Sequence, residues 1–149
     1  MKKIQLFLFI LLFISCSKIK TKDIDFNLVN NLPIIEAQIN GVPVKLLVDS
    51  GASLSLIDNT VYKELFFFMD TNVPISIGQG LGGTAYIFGV KGVILTHEGD
   101  TLKVTFRGTN LSAFRFTNGI VGIIGSDFLS ENNLIIDYKD NKLKEIVLD

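Results

Sequence analysis

The chain has 149 residues, a formal net charge of −1 and a single cysteine. That length suits one globular domain with its own core, and one cysteine excludes an internal disulfide framework. No basic face large enough to track phosphates is visible, which argues against nucleic acid as a partner.

At the N-terminus, Lys2 and Lys3 precede an apolar run over residues 4–14 that only Gln5 interrupts. A basic start, a short apolar segment and the small Ser15 form the pattern of an export signal. The run is shorter than the ~20 residues a membrane-spanning helix needs. The stretch "LFISC" resembles a bacterial lipobox, with Phe13 at the position usually held by an aliphatic residue. That resemblance implies cleavage before Cys16, acylation of its thiol, and a lipid anchor at the bacterial cell envelope. An ordinary signal peptide with an incidental cysteine is the alternative. The expected organisation is a signal peptide at 1–15, a lipidated N-terminus and polar tether at 16–24, and a folded domain at 25–149. Cleavage would remove two lysines and leave the remainder more acidic.

From residue 25 the pattern is mostly strand. Ile35, Ala37 and Ile39 alternate with polar residues, and Val42, Val44, Leu46 and Val48 continue with the same period of two. Asn40-Gly41 between the two runs predicts a β-hairpin over residues 33–48, because both residues tolerate positive φ. Residues 53–58 alternate again as a short strand. Asn59 then reads as the cap of a helix over residues 60–66. Phe66, Phe67, Phe68 and Met69 are expected as core beneath that helix, with a subunit or membrane contact as the other reading. Residues 73–77 lead as a strand into the glycine-rich "GQGLGGTA". Residues 86–95 and 102–106 read as paired strands across the turn "HEGD", which accounts for the lone His97. In the last third, residues 120–124 are an apolar run that Gly125 breaks. Ser126 reads as the cap of a short helix through Glu131, and residues 134–138 and 143–148 read as strands across Asp140-Asn141. Asp58, Asp70 and Asp137 read as solvated turn or strand-end acids. The class is all-β with one or two short helices, closed or sandwich-like.

One stretch calls for more than a fold. In "KLLVDSGASLSLID" a carboxylate, Asp49, ends an apolar run and is followed at once by Ser50, Gly51 and Ala52. It either closes a loop or is held there for chemistry. Apolar surroundings disfavour an ionised aspartate, and a second carboxylate beside it would lead the pair to share one proton. The ionised member can then take a proton from water while the protonated one donates to a carbonyl oxygen. Small neighbours let backbone approach such a site: Gly51 permits a tight turn, and the Ser50 hydroxyl can lock the loop.

"LLVDSGAS" resembles the active-site loop of the retropepsin-like aspartic proteases. "IVGIIGSDFLSENNLIIDY" is similar to the segment in which two apolar residues and a glycine, here Ile123, Ile124 and Gly125, pass beneath that loop before a short helix and a strand. Between the two, "GQGLGGTA" lies where that family carries its flap. The resemblance runs from about residue 34 to residue 146. It implies a closed, barrel-like acid-protease fold of a single lobe. It also implies that Asp49 is catalytic, that Ser50, Gly51 and Ala52 form the active-site loop, and that Gly80, Gly82 and Gly83 belong to a substrate-covering flap. Asp127, at the start of the short helix, reads as a capping or buried structural residue beside Ile123, Ile124 and Gly125. His97 and Cys16 are too few for a zinc site, a histidine in a turn offers no Ser/His/Asp triad, and neither metal nor cofactor is implied. With one Asp-Ser-Gly loop and no room for a second lobe, the other carboxylate is expected from a second copy across a two-fold axis. The expected activity is that of an aspartic endopeptidase acting on polypeptides as a homodimer. The alternative is an inactive envelope lipoprotein of the same fold that binds extended peptides.

Overall fold

In the computed structural model the described residues are 23–70, 74–80 and 83–146. The expected export signal, Cys16, most of the tether and Gly82 lie outside them. Strands β1 (Ile24–Asp25) and β2 (Asn27–Val29) lead into β3 (Leu32–Ile39), which Asn40 and Gly41, both at positive φ, turn back into β4 (Val42–Val48). Ile39 opposes Val42 and Ile34 opposes Leu47, so the predicted hairpin forms in the register its alternation requires. Then follow β5 (Leu56–Asp58), β6 (Phe68–Asp70), β7 (Ser76–Gly80), β8 (Gly83–Lys91), β9 (Leu95–His97), β10 (Asp100–Leu102) and β11 (Arg107–Thr109). Helix α1 (Ser112–Asn118), β12 (Ile120–Ile124), α2 (Ser126–Glu131), β13 (Leu134–Asp137) and β14 (Lys142–Glu145) complete the chain.

The main sheet runs in the order β10-β9-β3-β4-β12-β5-β11-β8-β6, with β2 beside β3 and β7 beside β8. It has two ends, so the expected closed barrel is an open sheet; β1, β14 and β13 form a separate three-stranded sheet. The decisive feature is where β12 lies. It inserts between β4 and β5, parallel to β4 and antiparallel to β5. The connection carrying Asp49 from β4 to β5 must therefore stride over β12.

Both faces of this central pair are covered. Leu46, Val48 and Ile124 point into the main core with Ile35, Ile57 and Phe128, while Leu47 and Ile123 point the other way into a smaller cluster with Ile34, Leu111 and Ile120. Adjacent apolar residues at 46–48 and at 123–124 follow from this, because a strand buried on both faces has no solvent side on which to place polar residues. Each such side chain contributes about 1.5–3 kcal/mol by leaving water.

Four local expectations need correction. Residues 60–66 form turns, not a helix: Leu65 N donates to Val61 O at 3.0 Å, but Phe67 N donates to Tyr62 O at 3.1 Å and Phe66 takes φ 55°. One turn cannot offset the cost of helix nucleation. The Thr60 amide is capped by Asp58 Oδ1 at 3.0 Å, and Asp58 is fully buried, not a solvated acid. Of that run Phe67 is core and Met69 packs against it, whereas Phe66 and Phe68 are 70% and 77% exposed. In α2 the N-cap is Gly125, with Ser126 as the first helical residue and no side-chain cap.

Strand pairing around His97 is also more local than expected. Glu98 and Gly99, at φ 49° and 88°, turn β9 into β10, while β8 pairs instead with β7, β6 and β11.

Candidate active site

β4 ends at Val48, whose partner across the parallel ladder is Ile124. The ladder extends one step further, since Asp49 N donates to Ile124 O at 2.9 Å. The chain then tightens: Gly51 N donates to Asp49 Oδ1 at 2.9 Å and Ala52 N to Asp49 O at 3.1 Å. A Cβ on Gly51 would come within 3.1 Å of the same carboxylate oxygen, which is why the smallest residue stands there. The Asp49 side chain is exposed, as are Ser50 and Gly51, with Ala52 half-buried. The buried strand therefore holds the backbone of Asp49 rigidly while one chain alone leaves its carboxylate open to solvent. The apolar enclosure expected around it is absent from the single subunit.

Beneath the loop lies the segment of Ile123, Ile124 and Gly125, all buried. At Gly125 an added Cβ would sit 2.7 Å from both the carbonyl carbon and oxygen of Leu54 and 2.9 Å from Ala52 O. Backbone rests directly on backbone, and Ser126 N donates to Ala52 O at 2.8 Å to seal the contact. Gly122 makes a similar approach, its missing Cβ lying 2.7 Å from Leu56 O.

A second lock comes from a residue the sequence did not single out. Ser55 is fully buried; its Oγ donates to Asp127 Oδ1 at 2.7 Å and accepts from Gly125 N at 3.0 Å, and its own N donates to Asp127 Oδ2 at 3.0 Å. Asp127 Oδ1 also accepts from Phe128 N at 2.8 Å. Both Asp127 oxygens are thus turned into the fold. Ser55 ties the start of β5 to the segment beneath the loop. The only signal was a polar residue at an inward position of an alternating strand.

β7 and β8 form a hairpin whose last paired residues are Gly80 and Gly83, the latter at φ 103°. Gly78 makes room for the buried Ile87, whose Cδ1 lies 2.9 Å from where a Cβ would stand, while the cross-strand pair Ile77 and Tyr86 is exposed. Helix α1, unannounced in the sequence, packs on β12 and brings Leu111 into the small core that includes Ala52. It is tied to β5 by Arg115, whose Nε lies 3.6 Å from the buried Asp58 Oδ2. Among the described residues no three His, Cys, Asp or Glu side chains gather in a way that could hold a metal.

An exposed aspartate on a glycine-bearing loop, bridged from below by an Ile-Ile-Gly strand, defines the aspartyl protease class. The aspartyl protease family model matches residues 35–128, more than half of the chain. The chain belongs to that family. Among solved structures it is similar to EIAV protease complexed with the inhibitor HBY-793, at 23% identity and a TM-score of 0.52 over 67% of this chain and 86% of that one. It is also similar to the retroviral protease-like domain of Ddi1 from Leishmania major, at 23% identity and 0.52 over 77% and 93%. A third likeness is to a retropepsin-like aspartic protease from Rickettsia conorii, at 21% identity and 0.50 over 84% and 90%. At these identities the likeness establishes the retropepsin-like fold.

Proposed function

We propose that this chain is an aspartic endopeptidase whose catalytic pair is Asp49 from each of two identical subunits. The observation that carries the reading is the contrast between the two motif acids. Asp49 stands exposed on a loop fixed by backbone hydrogen bonds, while both oxygens of Asp127 are engaged by Ser55. One chain therefore offers half of a dyad. A two-fold axis beside the loop supplies the other half and, with it, the shielding that the single subunit lacks. Two carboxyls brought together in this way share one proton. The ionised one draws a proton from water as that water attacks the scissile carbonyl, and the protonated one donates to the carbonyl oxygen.

Ser50, Gly51 and Ala52 keep the floor low enough for an extended polypeptide to cross. The β7–β8 hairpin, with Gly80, Gly82 and Gly83 at its end, closes over that polypeptide and excludes water. Acylation at Cys16 would hold the dimer at the bacterial cell envelope.

The test is incubation of the full chain with a diverse peptide mixture across a range of pH, beside Asp49→Asn. Hydrolysis should fall roughly 10³-fold in the variant. Undiminished cleavage by a folded Asp49→Asn would end the catalytic assignment. Binding of peptides without cleavage by the unaltered chain would favour the inactive peptide binder.

A further inference from the structure

The β3–β4 hairpin has two ends. One delivers Asp49; the other, roughly 20 Å away along seven residues of strand, is the Asn40-Gly41 turn. At this distal pole Asn40 acts as a clasp. The two hydrogens of its Nδ2 are shared among Leu65 O at 2.8 Å, Phe66 O at 3.2 Å and Gly92 O at 2.8 Å, and its Oδ1 accepts from Ile94 N at 2.9 Å. The clasp holds Phe66 at φ 55°, a conformation that bulky side chains rarely adopt. The result is two phenylalanines, 70% and 77% exposed, with Ile94 beside them at 57%. Solubility does not explain this, and neither does the proposed site, which lies at the other end of β4.

We propose that this pole is a membrane-contacting surface, and that Phe66, Phe68 and Ile94 insert into the interfacial layer of an anionic bilayer. Three observations choose lipid over a protein partner. The apolar area is only ~400 Å², about half of the ~800 Å² per partner that a stable protein interface buries. The flanking charges suit anionic headgroups: Lys91 is the register partner of Phe68, and Lys63 lies 5.7 Å from the Tyr62 ring. Of the nearby acids, Glu64 reaches towards Arg115 at 3.8 Å, while Asp70 lies two residues from Phe68 on the same side of β6. Finally, if Cys16 carries the anchor, the residues between it and Asp23 span at most ~25 Å, which keeps the domain within reach of the bilayer and lets one of its faces touch lipid. Exposed aromatics with adjacent lysines are what such a face requires. This placement rests on the anchored arrangement proposed above. It leaves the Asp49 end turned away from lipid, open to polypeptide.

The chain contains no tryptophan, so Phe68→Trp introduces a sole reporter at an exposed position where folding is not at stake. The full chain is reconstituted with vesicles of phosphatidylethanolamine and phosphatidylglycerol, with and without lipids brominated on their acyl chains. Tyr86→Trp on the β7–β8 hairpin serves as the comparison. The expected result is a blue-shifted emission from Phe68→Trp, quenched roughly twofold or more by bromines in the ~5–10 Å interfacial layer, with Tyr86→Trp unaffected. Replacing Lys63 and Lys91 by Gln should weaken that quenching. An anchored chain whose Phe68→Trp is not quenched overturns the docking surface and leaves the anchor standing. Equal quenching at both positions, or a blue shift that depends on protein concentration and not on lipid, also overturns it. A chain that does not associate with vesicles at all loses both readings.

Discussion

Gly125 and Gly51 are both small because something else must be close, yet their substitution should have opposite signatures. A Cβ at residue 125 would lie 2.7 Å from Leu54 backbone atoms, which cannot swing aside. Gly125→Ala is therefore expected to cost about 2–3 kcal/mol in urea unfolding. A Cβ at residue 51 meets only Asp49 Oδ1, at 3.1 Å. Gly51→Ala is expected to leave unfolding within about 1 kcal/mol of the parent while displacing the carboxylate and abolishing peptide hydrolysis. A large loss of stability there, with activity kept, would contradict the role given to the loop. Ser55→Ala would strip one partner each from Asp127 and Gly125 and should cost about 2 kcal/mol. Asp49 and its small neighbours were legible in the sequence because the motif is contiguous. Ser55 was not, since its value comes from Asp127, 72 positions away.

At the level of elements, two ion pairs carry contrasting expectations. In the β13–β14 hairpin the Asp137 carboxyl is held below its ordinary 3.8, first by Lys144 Nζ at 2.7 Å, then by the backbone N–H of Asp140. Lys144 also meets Asp140, and its own value is raised above 10.5. A depressed carboxyl stabilises the fold above its unfolded value and loses that contribution as pH falls through the lower folded one; a raised lysine contributes below 10.5 and loses it at higher pH. Asp137→Asn should therefore lower the thermal midpoint modestly at neutral pH. The two melting curves should converge as the solution is taken well below pH 3.8, and a constant offset across that range would refute the assignment. The Asp58–Arg115 pair differs because Asp58 is fully buried. Arg115→Ala would leave that carboxylate stranded and is expected to cost about 3 kcal/mol, with Asp58→Asn in the same background recovering part of it. Hairpins were readable because their turns sit between alternating runs. Helix α1 was not, because a seven-residue helix with no side-chain cap depends on its packing against β12.

For the molecule as a whole, the proposed dimer makes a quantitative demand. Adding an equal amount of Asp49→Asn chain to the unaltered chain should reduce its hydrolysis to about half, the statistical share of unmixed pairs. Activity that ignores the added chain, alongside a strict monomer in sedimentation at high concentration, would remove the shared site. Local sequence by itself determined the strand periodicity, the Asn-Gly turn and the small-residue loop around Asp49. Each depends on neighbours within a few positions and on whether a face meets water. Only the tertiary structure decided that β12 threads between β4 and β5, that the sheet stays open, that Asp58 is buried while Asp49 is exposed, and that Phe66 and Phe68 point outward. Those outcomes are set by partners 25 to 72 residues away, and their pairing leaves no trace in the local alternation of apolar and polar side chains.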